Sequence, residues 1–164
     1  MPEQNLPEVS DAALAADMNW LAGFVQGMTR AEHLQRLNLK SALEQLLPWQ
    51  ARRQLEECAP THLTVPSGSR IPLDYSGEEP VLAVRLQELF GLKETPRIAA
   101  GRVPVVLHLL SPAMRPMQVT RDLASFWAAT YFEVRRELQA RYPKHHWPDD
   151  PLSAQPTSRV KRRT

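Results

Sequence analysis

Cationic and aromatic side chains alternate near the end of the chain, in residues 141–148. This segment reads Arg-Tyr-Pro-Lys-His-His-Trp-Pro and follows the pair Arg135 and Arg136. Cations can bind the phosphates of a single nucleic-acid strand, and aromatic rings can stack on its bases. The pattern is also typical of a strap, in which Tyr142 and Trp147 pack back onto the fold while prolines keep the backbone extended. Because the two roles are compatible, the segment predicts packing, nucleic-acid contact, or both.

Other cations extend the predicted nucleic-acid-binding surface toward the middle of the chain. Residues 61–164 hold 15 Lys/Arg and 10 Asp/Glu, a net charge of +5, although the whole chain carries only +2. Most of these cations are arginines, whose planar guanidinium groups suit phosphate recognition. Each of them alone is more often a solvated or ion-paired surface residue, which is the alternative interpretation. The predicted contact residues are Arg70, Arg102, Arg115, Arg121, Lys144, His145 and Trp147.

The sequence lacks the motifs of the common nucleotide-hydrolysing and nucleophilic enzymes. A P-loop needs G-x-x-x-x-G-K-[ST], and the chain contains no Gly-Lys pair. The nucleophile elbow G-x-S-x-G is also absent. Cys58 and His62 are four residues apart, but Pro60 lies between them and no orienting acid is evident, so Cys58 is predicted to be a packing residue. We therefore expect no enzymatic activity from this chain alone.

A metal site is one interpretation of His145 and His146 followed by Asp149 and Asp150. Adjacent histidines point in different directions on an extended chain, so they seldom bind one ion together. The two carboxylates are equally suited to a helix start or an ion pair. The sequence therefore predicts neither a metal nor another cofactor within this chain.

The composition indicates a cytoplasmic protein with no membrane partner. No run of apolar residues approaches the roughly 18 that a membrane helix needs, and the first residues lack the pattern of a secretion signal. The single cysteine, Cys58, excludes an internal disulfide framework and suits a reducing compartment.

The first sixty residues are predicted to form a small helical unit. From Asp11 onward, apolar residues recur at steps of three and four, which is typical of one helix face. Two capping boxes, at residues 29–32 and 41–44, predict the starts of two further helices. Pro60 is expected to end the last helix of this unit.

A change of pattern after residue 60 predicts a mixed α+β domain. Residues 61–65 and 70–75 alternate with period two around a turn cluster, which indicates a β-hairpin, with Pro72 pointing to an edge strand. Pro80 is expected to open a helix that closes at Gly91. The apolar run 103–110 predicts a buried strand, and Thr120 is expected to cap a long last helix.

The last segment resembles the closing signature of the HrpB-type ATP-dependent helicases of bacteria. That signature is residues 141–151, Arg-Tyr-Pro-Lys-His-His-Trp-Pro-Asp-Asp-Pro. Order and spacing agree over residues 45–151, and the helical lead-in is similar to the region before it. The other matching stretches are residues 46–49, 59–70, 73–76, 101–104, 109–112, 115–123 and 126–127.

The resemblance implies a specific place in a larger enzyme. These helicases are a DEAH-like branch of RNA helicases, whose two RecA-like motor domains hold ATP and Mg²⁺. No motor motif occurs here, so the chain resembles only the C-terminal region and is expected to be part of a longer protein. The implied role is an accessory domain that supports binding of single-stranded RNA or packs on the motor domains. The alternative is a protein–protein interaction module without RNA contact.

The expected organisation has four parts. Residues 1–10 are a flexible leader, 11–60 a helical unit, 61–151 the helicase C-terminal domain and 152–164 a basic disordered tail. Two residues depart from the family pattern. Met114 stands where a cation is expected, and Phe132 stands where proline is common, so the last helix is expected to continue without a break.

Overall fold

Two separate units make up the fold, one extending to Glu57 and the other beginning at Cys58. The computed structural model describes residues 7–158. The helical N-terminal unit and the mixed unit that follows it confirm the predicted α+β class.

Short helices form the first unit, in the order α1 (Asp11–Ala16), α2 (Ala22–Val25), α3 (Ala31–Leu34), α4 (Leu39–Leu46) and α5 (Trp49–Cys58), with a 3₁₀ turn at Met18–Leu21. The predicted capping boxes are wrong. Asn38, rather than Ser41, caps α4 by accepting a hydrogen bond from the Ser41 N–H, and α3 follows Arg30 without a side-chain cap. A capping motif in the sequence therefore does not by itself identify the residue at which a helix begins.

The first unit buries very little of its apolar surface. Within residues 7–57, Ala42 is the one fully buried side chain. Trp49 is 69% exposed, and four other large apolar side chains are more than half exposed: Met18, Leu34, Leu39 and Leu55. Residues 7–57 therefore contribute almost no fully buried apolar core.

The predicted hairpin is confirmed. Strands β1 (His62–Thr64) and β2 (Arg70–Asp74) pair antiparallel, and Gly68 adopts a φ of +83° in the connecting turn, a conformation that favours glycine. The edge position predicted from Pro72 is wrong, because β2 lies between β1 and β3. Pairing with β3 involves only Leu73 and Asp74, so the missing N–H of Pro72 falls outside that ladder.

Five strands form the main sheet, in the order β1-β2-β3-β6-β7. Strands β3 (Val81–Arg85) and β6 (Val106–Leu110) are parallel, and β7 (Pro116–Thr120) runs antiparallel to β6. Strands β4 (Arg97–Ile98) and β5 (Val103–Pro104) form a separate small pair. The predicted buried strand is thus confirmed as β6, and its first residues belong to β5.

The prediction of a helix after Pro80 is wrong. Leu82, Val84 and Leu86 are buried with period two, which is the pattern of strand β3. A 3₁₀ turn at Leu86–Leu89 follows and ends before Gly91, whose φ is +83°. Leu82 and Leu86, four residues apart, fit both periods, whereas Leu89 fits only the helical one. The β-branched valines and the neighbouring strands favour the strand.

The last helical run is continuous but changes its winding. It comprises α6 (Leu123–Ser125), a π-helical turn (Phe126–Thr130) and α7 (Tyr131–Arg141). Asp122 caps it by accepting from the Ser125 N–H, whereas the predicted cap Thr120 lies in β7. Its inward face adds Leu123, Phe126, Trp127, Tyr131 and Leu138 to the single core that the sheet and the 3₁₀ turn share.

Candidate nucleic-acid interface

The strap, defined here as residues 142–148, is held against the fold by its aromatic side chains. Trp147 is only 5% exposed, and its indole N–H donates to the Tyr142 carbonyl over 3.0 Å. The phenol of Tyr131 donates to the Pro148 carbonyl, and Arg135 donates to the Trp147 carbonyl. Trp147 is therefore a core residue in this structure, and its ring is not available to stack on a base.

Parallel pairing of β3 and β6 brings their carboxyl ends together. Arg85 closes β3 beside Leu110, the last residue of β6. The chain then turns through residues 111–115, where Ser111 donates its N–H to the Arg115 carbonyl and its Oγ accepts from the Arg115 N–H. Arg115 is exposed at the end of this turn. Sheet topology thus places Arg85 and Arg115 at one end of the sheet.

Two hydrogen bonds carry the strap to the same end of the sheet. The Tyr142 hydroxyl lies 3.3 Å from the Ser111 Oγ, and the Gln87 amide lies 3.3 Å from the His145 Nδ1. Lys144, between these two anchors, is exposed. The strap therefore presents Lys144 and His145 beside the 111–115 turn.

The hairpin supplies a further cation at this end. Ser67 in its turn donates its N–H to the Glu88 carbonyl and its hydroxyl to the Glu88 carboxylate. Arg70 begins β2 three residues after Ser67, and Arg85 ends its antiparallel neighbour β3, so both lie toward the same end of the sheet. We call the resulting group the cationic end: Arg70, Arg85, Arg115, Lys144 and His145.

Members of the cationic end differ in how free their charges are. Arg85 is half-buried and bound: its guanidinium lies 3.7 Å from the Glu88 carboxylate and donates to the Ser158 carbonyl over 2.7 Å. Arg70, Arg115 and Lys144 are exposed, and no carboxylate in residues 7–158 lies within ion-pair distance of them. These three charges are the ones a phosphate could reach.

His145 adds a neutral polar group rather than a charge at neutral pH. Partial burial, and then the positive charge of Arg85, lower the pKa of His145 from its ordinary value of 6.5. Its ring packs near those of Tyr142 and Trp147. At pH 7 His145 can therefore exchange hydrogen bonds with a ligand but adds no cation.

Two predicted contact residues lie elsewhere. Arg121 follows β7 at the opposite end of the sheet, where its Nε donates to both carboxylate oxygens of Glu79 over 3.1 Å. This pairing lowers the pKa of Glu79 and raises that of Arg121. Arg102 lies in the turn between β4 and β5 and donates to the Ala99 carbonyl. The structure does not bring either residue to the cationic end.

Residues 152–158, assigned from sequence to a disordered tail, make specific contacts. The Thr157 N–H donates to the Gln87 carbonyl, and the Arg85 guanidinium donates to the Ser158 carbonyl over 2.7 Å. Arg85 and Gln87, which hold this segment, were not among the predicted contact residues, and no local signal marks them because Arg85 and Ser158 are 73 positions apart. The basic cluster that ends the chain, residues 159–163, lies outside the described residues.

Other chemistry has little support in the structure. Among residues 7–158, no group of three or more His, Cys, Asp or Glu side chains is arranged to hold a metal ion. Cys58 is a free, half-buried thiol. No helix in the described part of the chain is both long and apolar enough to cross a bilayer.

The family follows from comparison with known proteins. The HrpB C-terminal family model, described as ATP-dependent helicase C-terminal, matches residues 20–151, so the chain belongs to this family. It is 48% identical over 164 residues to the ATP-dependent RNA helicase HrpB of Escherichia coli strain K12, covering 99% of this chain and 20% of that protein. The resemblance inferred from residues 141–151 is thereby confirmed.

Solved structures agree with this assignment. The crystal structure of the E. coli DExH-box NTPase HrpB matches with a TM-score of 0.88 and 49% identity over 96% of this chain and 20% of that one. A second, of the E. coli DEAH/RHA helicase HrpB, matches with a TM-score of 0.71 and 46% identity over 89% and 19%. The chain thus spans about a fifth of the relatives it matches.

Proposed function

We propose that this chain is the C-terminal accessory region of an HrpB-like bacterial ATP-dependent RNA helicase, and that its cationic end supports binding of single-stranded RNA. The observation that carries the proposal is the grouping of three unpaired exposed cations, Arg70, Arg115 and Lys144, among the described residues. Such charges bind phosphates without regard to base sequence. Trp147, Arg102 and Arg121 are not part of this proposed contact surface.

The proposed role involves no bond chemistry in this chain. ATP and Mg²⁺ would act in motor domains elsewhere in a longer cytoplasmic protein, and this region would hold the RNA or brace the motor. We expect the chain alone to hydrolyse no ATP above the buffer rate, with or without RNA. Turnover in a preparation free of other ATPases would contradict the proposal.

Fluorescence anisotropy with a labelled single-stranded RNA tests the contact. We expect affinity to fall steeply with salt, and the double variant Arg115→Gln/Lys144→Gln to reduce the slope of log K against log salt by roughly 1.4, since each phosphate contact contributes about 0.7. The matched control is Arg30→Gln/Arg36→Gln, which removes the same charge from exposed positions of the first unit. Equal losses in the two variants would show that only net charge matters, and no binding at low salt would reject RNA contact.

A second role, packing against the remainder of a longer helicase, is favoured by the first unit. Its exposed Trp49 and Leu55 lie on α5, and residues 7–57 bury only Ala42 completely. Covering such exposed apolar side chains with a protein partner removes them from water and stabilises the complex. Packing on the motor domains is part of the proposed accessory role, whereas a surface that holds the helicase to other proteins, without RNA contact, is the interaction-module alternative.

Co-sedimentation with the remainder of E. coli HrpB, expressed as a separate chain, tests the second role. We expect complex formation that Trp49→Glu/Leu55→Glu abolishes and Arg30→Gln/Arg36→Gln preserves, because burying a carboxylate in an apolar contact is costly. Complex formation by the glutamate variant at wild-type affinity would reject this packing surface.

A further inference from the structure

An apolar groove lies beside the last helical run, away from the residues used above. Ala124, Ala128 and Phe132 follow one another at a spacing of four along one of its walls, and Trp127 contributes to the lining. Leu152 lies on the other side. The groove encloses about 580 Å³, and both Phe132, 50% exposed, and Leu152, 38% exposed, leave apolar surface open to water.

The groove is built into the fold rather than left between mobile parts. Its alanines leave space where larger side chains would fill it, and Ala128 belongs to the π-helical turn, a distortion that is frequent at functional sites. Across the groove, Asp150 accepts the Leu152 N–H over 2.9 Å, and Gly91 donates to the Pro151 carbonyl. Both walls are therefore held by internal hydrogen bonds.

The rim of the groove is acidic. Glu94, Asp149 and Asp150 line it together with one cation, Lys93. Hydrogen bonds from the Ser153 side chain and the Leu152 backbone lower the pKa of Asp150, so it is ionised at neutral pH. Asp149 pairs with Arg135 over 2.7 Å, yet its side chain remains 91% exposed. Carboxylates at these positions repel a phosphate backbone and attract cations.

We infer that this groove docks a short segment of a separate partner protein, one with a large apolar side chain flanked by lysines or arginines. The apolar lining accepts the anchor, and the acidic rim pairs with the flanking cations. From Ala124 to Phe132 the wall is roughly 12 Å long, the length of three or four extended residues. Charged, well-hydrated edges are typical of an interface that forms and separates, since permanently covered surfaces are depleted of charge.

Peptide binding measured by fluorescence anisotropy tests the inference. The probes are a labelled basic peptide, Ac-RKLFKR-amide, and its acidic counterpart, Ac-EELFEE-amide. We expect the basic peptide to bind the full chain and Ala128→Phe, which fills the groove, to weaken binding about tenfold. Ala129→Phe is the matched control, because Ala129 is the next exposed residue of the same turn but does not line the groove.

A second variant tests the charge of the rim. Glu94→Gln/Asp149→Asn should weaken binding of the basic peptide and remove most of the salt dependence of that binding. Circular dichroism of the variant should show an unchanged fold. The inference is overturned if the basic peptide binds Ala128→Phe as tightly as wild type, if the acidic peptide binds equally well, or if neither peptide binds at millimolar concentration. RNA binding should be unaffected by Ala128→Phe and Ala129→Phe, which leave the charge unchanged, and this separates the groove from the cationic end.

Discussion

The cationic end and the groove beside the last helical run belong to the same unit but have opposite chemistry. The first presents Arg70, Arg115 and Lys144 around neutral polar groups, and the second presents apolar side chains within an acidic rim. One attracts phosphates and the other repels them. Although residues 61–164 carry a net charge of +5, segregated charges thus leave this domain one basic and one acidic surface, which suit different partners.

Both surfaces depend on the same stretch of chain. The strap presents Lys144 and His145 at one end, and the residues just after it, Asp149 to Leu152, form one side of the groove. Between the two lies Trp147, buried in the core. Changes along this stretch can therefore disturb both surfaces or only one, depending on where they fall.

The largest effect is expected from Trp147→Ala. Removing a buried indole leaves a cavity and should lower the free energy of unfolding by about 3–5 kcal/mol, measured by urea denaturation. Because the strap loses its anchor, affinity for both the RNA and the basic peptide should fall. Phe132→Ala, at an exposed position, is the control and should weaken binding of the basic peptide but not of the RNA. A stable Trp147→Ala variant that binds both ligands normally would show that the strap does not position the two surfaces.

An intermediate effect is expected from Tyr131→Phe. Burial raises the pKa of Tyr131, so its phenol stays protonated and donates to the Pro148 carbonyl over 2.8 Å. The substitution keeps the ring but leaves that carbonyl without a partner, at a cost of about 1–3 kcal/mol in unfolding free energy. Pro148 adjoins the groove rim, so peptide binding should weaken more than RNA binding. The reverse order would place Tyr131 in support of the cationic end instead.

The smallest effect is expected from Glu79→Gln, which concerns neither surface. Arg121 lowers the pKa of Glu79, so the pair stabilises the fold at neutral pH, and this contribution is lost as the pH falls below the ordinary value of 4.5. Urea midpoints of variant and wild type should differ slightly at pH 7 and approach each other as the pH is lowered below 4.5. RNA affinity should not change, since Arg121 lies at the far end of the sheet. A marked change in RNA affinity would return Arg121 to the contact surface.

Prediction of the fold succeeded where the determining interactions are local. The hairpin follows from alternation on either side of a turn that contains Gly68, and the last helical run follows from its apolar face. Prediction failed at β3, because the steps of four and three between Leu82, Leu86 and Leu89 are those of a helix face, whereas only Leu82 lies in β3 and the other two lie in the 3₁₀ turn that follows. Its neighbours in the sheet, β2 and β6, decided its conformation, and they come from distant parts of the chain.

The sequence named candidate contact residues but could not indicate which of them lie together. Arg70, Arg115, Lys144 and His145 lie toward one end of the sheet, whereas Arg102 and Arg121 do not. The ion pair of Arg121 with Glu79 spans 42 positions, and no pattern in the sequence indicates it. Contact between the cationic end and RNA remains a proposal.

The amino-acid sequence was sufficient for the family, the α+β class and the absence of a P-loop motif from this chain, because signature residues and periodicity are local properties. Tertiary structure was needed to learn which cations are unpaired, why Trp147 is a core residue and where the acidic groove lies. Charge pairing and burial depend on which distant segments come into contact. In this chain, the parallel pairing of β3 with β6 and the path of the strap determine those contacts.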